Sequence, residues 1–360
     1  MSETDRLFAR PDEFAAGSQA ASARACWHNW HSRELTGHDG IVRPQHPTLF
    51  AALSRVQSAS SLSKLLRGPL AFSWHYGLGL RAPRGGDEAL VLDANALGTL
   101  VHDTLDQAIR TLERLGGLAS ASSEMAAGAV DAAVSTVAER WEAEQAVPPR
   151  VIWQRSLGEI RNIAWSALQH SDATYPGQIS FTEVPFGGQL PRSDGPLPWD
   201  ASLPVEIAGT DFKISGYIDR LDLSGNKNQA RVRDYKTGRM PSEPVSLNGG
   251  RELQRCLYAY AVRAMLGDHV EVEASLLYPR EAEARLLEEP DAVLQALSEH
   301  LAAAWANLLS GVATVGPDAG GDYDDFSFAL PANAANGYCK RKAEASRQAL
   351  GDAALVWEAN

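Results

Sequence analysis

The sequence predicts an α/β protein with a mixed central sheet flanked by helices. Three observations carry that expectation. Segments 93–115, 124–146 and 151–169 repeat their apolar residues at helical spacing. Residues 179–235 then gather short β-branched and aromatic runs separated by turn signals. Beyond them helix and strand patterns alternate, and a chain mixing the two in this order buries a sheet under helices. Composition agrees: of 360 residues, 44% are hydrophobic and 22% charged, which excludes general disorder and allows a sizeable core. No run approaches the ~20 apolar residues of a membrane span. The charged opening Met1-Ser2-Glu3-Thr4-Asp5-Arg6 is not a secretory signal. Three scattered cysteines, Cys26, Cys256 and Cys339, fit a reducing cytoplasm better than a disulfide framework. Net charge is −12. That argues against sequence-blind DNA binding by the whole surface, but not against a local DNA site with basic groups or divalent metals.

Each element has its own signal. Residues 1–59 carry Trp27, Trp30 and four histidines and read as a packed extension. A helix over Ser60–Tyr76 is capped by Ser60-Ser61, and Pro69 kinks or splits it. Gly77 to Asp87 reads as loop. Leu97, Leu100, Val101, Leu105, Ala108, Ile109 and Leu112 give a helix that Gly116-Gly117 stops. Pro148-Pro149 ends the next helix, and a third follows. Strands are expected over 179–186, 203–208, 212–223 and 229–235, with a hairpin turn at Ser224–Asn228. A helix over 250–266, a strand over 271–278, a helix over 291–309, a Gly/Asp loop over 316–325 and a helix over 336–355 complete the chain. There is no internal repeat.

The chemistry lies in Gly216-Tyr217-Ile218-Asp219-Arg220-Leu221-Asp222 and in Asp234-Tyr235-Lys236-Thr237-Gly238. Asp234 and Lys236, two apart on a strand, share a face. The hairpin turn sets Asp219 across from residue 233 or 234, which places the two acids ~5 Å apart. Two such carboxylates repel unless one is protonated or a cation lies between them. Mg²⁺ or Mn²⁺, which prefer oxygen ligands, resolve the clash. Neutralising either acid is then expected to relieve the metal-free protein. A lysine beside the metal can orient water and stabilise charge growing on a phosphate. A bare Asp-x-Lys is usually a solvated ion pair. Here a second acid arrives on the paired strand, and Val232 beside Asp234 implies a covered face. Glu183, in Phe181-Thr182-Glu183-Val184-Pro185-Phe186, is a candidate further acid of the site, but on an alternating strand its default is a solvent-facing position.

These motifs, with Gln254-x-x-x-Tyr258 downstream, resemble the RecB-like branch of the PD-(D/E)XK nucleases. His102, in Leu97-Gly98-Thr99-Leu100-Val101-His102, looks like the histidine that this branch carries on an upstream helix. The resemblance implies a restriction-endonuclease-like core with a helical insertion. It makes His102, Asp219, Asp234 and the main-chain carbonyl of Tyr235 metal ligands for Mg²⁺ or Mn²⁺. Lys236 becomes the catalytic lysine, and Gln254 and Tyr258 line the site from one helical face. It covers residues 60–360 as the nuclease domain: a helical part over 93–171, a sheet core over 175–280 and C-terminal helices over 290–355. Read alone, His102 is as well a core histidine.

The stretch Ser60 to Phe72 is similar to the segment preceding the nuclease site in AddB-type recombination nucleases. There a Cys-Pro pair anchors an iron–sulfur cluster with three later cysteines. This chain has Gly68-Pro69 and only Cys339 at the other end, so no such cluster is expected, because four thiolates are required. Cys26, His28, His31 and His38 have an uncommon spacing for zinc and read as packing. No P-loop occurs, so a helicase partner or a larger multi-domain assembly would supply any motor. The expected function is a metal-dependent DNA nuclease, an exonuclease in repair, recombination or defence. Its rival is a non-catalytic DNA-binding module that kept the fold. The intact Asp219, Asp234 and Lys236 favour the enzyme.

Overall fold

The computed structural model describes residues 9–82, 90–170, 172–321, 324–331 and 335–359. The expected loop at Gly77–Asp87 and that at 316–325 therefore lie partly outside the described residues. Helices α1 (Pro11–Ala16), α2 (Ser18–His31) and α3 (Pro47–Leu53) precede α4 (Ala59–Arg67) and α5 (Pro69–Phe72). Three long helices follow: α6 (Ala94–Arg114), α7 (Ser123–Glu144) and α8 (Arg150–Gln169). Strands β1 (Ile179–Phe186), β2 (Val205–Glu206), β3 (Lys213–Ile214), β4 (Gly216–Leu223) and β5 (Gln229–Tyr235) come next. Then α9 (Gln254–Leu266), β6 (Glu271–Tyr278), β7 (Glu283–Leu286), α10 (Pro290–Leu309) and α11 (Ala335–Leu350) close the chain. This is the expected α/β architecture, a restriction-endonuclease-like layering of helix, sheet and helix.

The five-stranded sheet has the order β1-β4-β5-β6-β7. Only β5 and β6 run parallel, because α9 connects them as a crossover; the other neighbours are antiparallel. Central β5 is buried along almost its whole length. One core packs Leu62, Leu65, Leu66, Val232, Leu257 and Leu301 between the sheet, α4, α9 and α10. A second lies under α6 to α8, where Leu105, Val130 and Ile160 meet Tyr235 and Leu277 of the sheet.

Several expected boundaries shift for local reasons. The cap of α4 is Ser58, whose side chain accepts from Ser61 N–H while Ser61 answers its backbone; Ser60-Ser61 lie inside the helix. The helix does break at Gly68-Pro69, and a π-turn over Ser73–Gly77 ends the segment. The expected strand 212–223 divides at Ser215. There the chain leaves the small β2–β3 sheet, bonding Gln57 on the way, and enters the main one. The strand expected over 203–208 contracts to Val205–Glu206. Helix α9 starts at Gln254 because Gly249 and Gly250 both hold positive φ. Helix α11 stops at Leu350, and a 3-10 stretch replaces its last turn. Edge strand β7 has no counterpart among the expected elements.

Asn29, Glu34 and Asp39 are fastened to α11. Lys342, fully buried, pairs with the equally buried Asp39 at 3.0 Å, and its ammonium also donates to the Asn29 and Glu34 carbonyls. Tyr338 Oη donates to the other Asp39 oxygen. The nearby histidines are absorbed locally: His31 Nδ1 meets the Trp27 carbonyl and His38 Nδ1 meets Asn29.

Candidate active site

The site forms where β4 begins and β5 ends, under the first turns of α6. The stripe Leu105, Ala108 and Leu112 buries α6 against its neighbours. That leaves His102, two turns in, over the sheet end. Gly98, one turn earlier, sits against the Lys236-Thr237-Gly238 turn, with Thr237 Oγ1 3.5 Å from where a Cβ would be. Gly216 opens β4 because a Cβ there would press to 3.1 Å on Phe186 and 3.6 Å on Tyr258. The hairpin register pairs Arg220 with Arg233, so the next level out belongs to Asp219 and Asp234.

Asp219 continues the ladder with its side chain: Oδ2 accepts Tyr235 N–H at 3.0 Å and lies 3.4 Å from His102 Nδ1. His102 Nε2 lies 3.0 Å from the Tyr235 carbonyl oxygen. Both ring nitrogens thus face acceptors, an arrangement that the imidazolium satisfies. Lys236 Nζ stands 2.6 Å from Asp234 Oδ2 and donates to Gln254 Oε1; Gln254 in turn contacts Tyr258 Oη at 3.5 Å. The seven residues singled out in the sequence are therefore brought to one place. Asp222, the second acid of the β4 motif, points elsewhere, into a buried pair with Arg220 at 2.8 Å.

Glu183 is the residue that strand alternation missed. The β1–β4 register brackets it, with Thr182 opposite Arg220 and Val184 opposite Ile218, which sets Glu183 level with Asp219. It holds φ at +47°. The core-facing series steps from Phe181 to Val184 on β1 and from Leu221 to Ile218 on β4, an interval of three where a flat strand keeps two. Both strands therefore kink at this level, and the kink turns Glu183 away from the solvent position that alternation assigns. Among the described residues, His102, Glu183 and Asp219 form the group whose ligand atoms all lie within 4.8 Å of one another. Asp234 stands beside that group, bound to Lys236. The one signal for Glu183 in the sequence was a lone acid among Phe181, Val184 and Phe186.

The electrostatics are asymmetric. Burial pushes Asp219 up, but the His102 charge and hydrogen bond, the Tyr235 N–H and Lys236 outweigh it and hold the acid below the usual carboxylate range. Asp234 carries the strain: burial drives it up to about 6 together with the Asp219 charge, and Lys236 only partly offsets them. Burial and Asp219 also raise Glu183 to about 7, against Arg192. Burial would lower His102, yet Asp219, Asp234 and Glu183 lift it to about 9. Lys236, opposed by burial but facing Asp234, titrates above its ordinary value. Relief by neutralisation, expected of either acid, therefore belongs to Asp234.

This donor set fits a divalent cation. Asp234 Oδ1 is buried without a hydrogen-bond partner while Oδ2 faces Lys236, and a buried, unpartnered carboxylate oxygen next to two more acids is what a hard cation satisfies. Cys26, Cys256 and Cys339 are all unpaired and lie outside this cluster.

Comparison with known proteins covers the segment that carries this site. The chain is 30% identical over 215 residues to an ATP-dependent helicase/deoxyribonuclease subunit of Symbiobacterium thermophilum; the match covers 58% of this chain and 17% of that relative's length. The family model of the PD-(D/E)XK nuclease superfamily matches residues 57–328. That span runs from the turn before α4 past α10 and includes His102, the two acids, Lys236 and α9. By this match, and by the sheet that carries it, the chain belongs to the PD-(D/E)XK nuclease superfamily.

Proposed function

We propose that the chain is a divalent-metal-dependent deoxyribonuclease that hydrolyses phosphodiester bonds. The observation that carries the reading is the convergence of three carboxylates, His102 and Lys236 at one sheet end. Mg²⁺ or Mn²⁺ held by His102, Glu183, Asp219, Asp234 and the Tyr235 carbonyl would polarise the phosphodiester and lower the pKa of water. The chain's own groups do the rest. Lys236 is held in its charged form, so it orients the attacking water and stabilises charge on phosphorus oxygens, not acting as a base. Gln254 fixes the direction of that ammonium, and Tyr258 supports Gln254. Residues 60–360 form the nuclease domain and 1–59 an extension, of which residues 29–39 are clasped to α11.

The relative's name, a helicase/deoxyribonuclease subunit, supports a nuclease acting on DNA beside a helicase, and exonuclease action is the finer reading proposed with it. No helix among the described residues is long and apolar enough to cross a membrane, and a cytoplasmic site of action fits this reading. Incubation of labelled linear and closed circular DNA with Mg²⁺, Mn²⁺ or EDTA tests it. Loss of linear DNA alone, blocked by EDTA, is the expected result. Intact DNA under every metal would leave a non-catalytic binding module.

A further inference from the structure

Arg192 is a further cation beside the site, and the sequence motifs do not include it. It lies on the loop after β1. Its guanidinium carbon sits 3.9 Å above the Tyr217 ring, and its Nη1 pairs with Glu183 Oε2 at 2.5 Å. Tyr217 is anchored in turn, its Oη donating to the Leu190 carbonyl at 2.8 Å. The Arg192 side chain is 57% exposed although Glu183 is only 11% exposed, so most of its donors face outward. They face a cavity of about 820 Å³ between α6, the free edge of β1 and the loop, with Arg110 and Arg114 on its far wall. Arg110 is tied to Asp106. Arg114 makes no ion pair among the described residues; it stands one helical turn from Arg110, about 6 Å along the axis.

A planar guanidinium stacked on a ring and presenting spare N–H groups matches phosphate oxygens. A cation on Glu183 would compete with Arg192 for its carboxylate charge. We propose that Arg192 is a phosphate-binding residue, exchanged from Glu183 to a DNA backbone phosphate lying in the α6–β1 groove when a divalent cation takes Glu183. This rests on the nuclease reading and extends it: the groove beside the edge strand receives the substrate strand, and Arg192 couples metal loading to strand binding. A loop tether would behave differently. It would lose stability without altering the two affinities in opposite directions.

The test measures both affinities on the full chain. Mn²⁺ binding is followed by thermal shift, and binding of a labelled single strand by anisotropy in Ca²⁺ over a range of salt. Arg192→Ala frees Glu183, so Mn²⁺ should bind about two- to fivefold more tightly, the range an exposed ion pair contributes. The same variant should bind DNA more weakly, and its slope of log affinity against log salt should fall by about 0.7, one phosphate contact on a single strand. Arg192→Lys, keeping charge but not the fork, should recover the salt slope and only part of the affinity. A parent that binds no DNA overturns the nuclease reading and this proposal with it. A parent that binds, beside an Arg192→Ala protein with unchanged salt slope or weaker Mn²⁺ binding, overturns the proposal alone.

Discussion

Metal binding should expel a proton from His102. Its ring faces Asp219 from β4, Asp234 from β5 and Glu183 from β1, with Lys236 the opposing cation, and titrates at about 9. A ligand nitrogen must be neutral. At pH 8 the ring is about 90% imidazolium, and stripping it costs about 1.4 kcal/mol, one pKa unit. Apparent metal affinity at pH 8 should then lie about tenfold below that at a pH well above 9. Glu183, at about 7, retains only about a tenth of a proton at pH 8, so the total release is close to one. Calorimetry of Mn²⁺ binding at pH 8 in two buffers of different ionisation enthalpy reads that number directly. His102→Gln should release almost none, and its affinity should flatten with pH. The linkage has a definite sign: a raised folded pKa stabilises the metal-free protein fully below about 6.5, and that stability is lost as pH rises through about 9. A parent that binds Mn²⁺ at pH 8 without releasing protons would refute the assignment of His102 as a ligand.

The two aspartates should separate in metal-free melts. Asp234→Asn should stabilise the protein by about 1–3 kcal/mol at pH 8; because the Asp234 pKa is raised, the gain should vanish as pH falls below about 4. Asp219→Asn should instead cost about 1–3 kcal/mol, since a charge-assisted bond to Tyr235 N–H and the His102 partner are lost, and both variants should lose most of the Mn²⁺ shift. Equal melts for the two would contradict the asymmetry. Lys236→Ala should stay folded but melt below the parent, because Asp234 is left buried without its counter-charge, and it should cut about 10²–10³-fold more slowly, measured as initial rates on linear DNA; parental rates would remove Lys236 from the chemistry. Lys342→Ala leaves Asp39 buried without its counter-charge and should cost about 3–5 kcal/mol in denaturant unfolding, whereas a loss below 1 kcal/mol would mean that the clasp to residues 29–41 is loose.

The local parts of this protein were legible in the chain itself. The strands Ile179–Phe186, Gln229–Tyr235 and Glu271–Tyr278 match expectation residue for residue. Their alternation and flanking turns are short-range properties. The Asp219–Asp234 juxtaposition was equally readable, because a tight hairpin sets its own register. His102 could be named only through its family resemblance: nothing within α6 distinguishes a ligand from a core histidine, and its partners lie far along the chain, on β1, β4 and β5. Glu183 could be raised from the sequence but not assigned to the site, for a sharper reason. The connection from β1 to β4 wanders through residues 187–215 and a second small sheet, so no turn dictates their register. The kink at Glu183 then reverses which face each residue serves, an event of backbone conformation that side-chain patterning does not record. The tertiary structure alone decided that a third acid joins the site, and that Asp234, enclosed by α9 and the Asp219 charge, bears the electrostatic load that the sequence assigned to both aspartates alike.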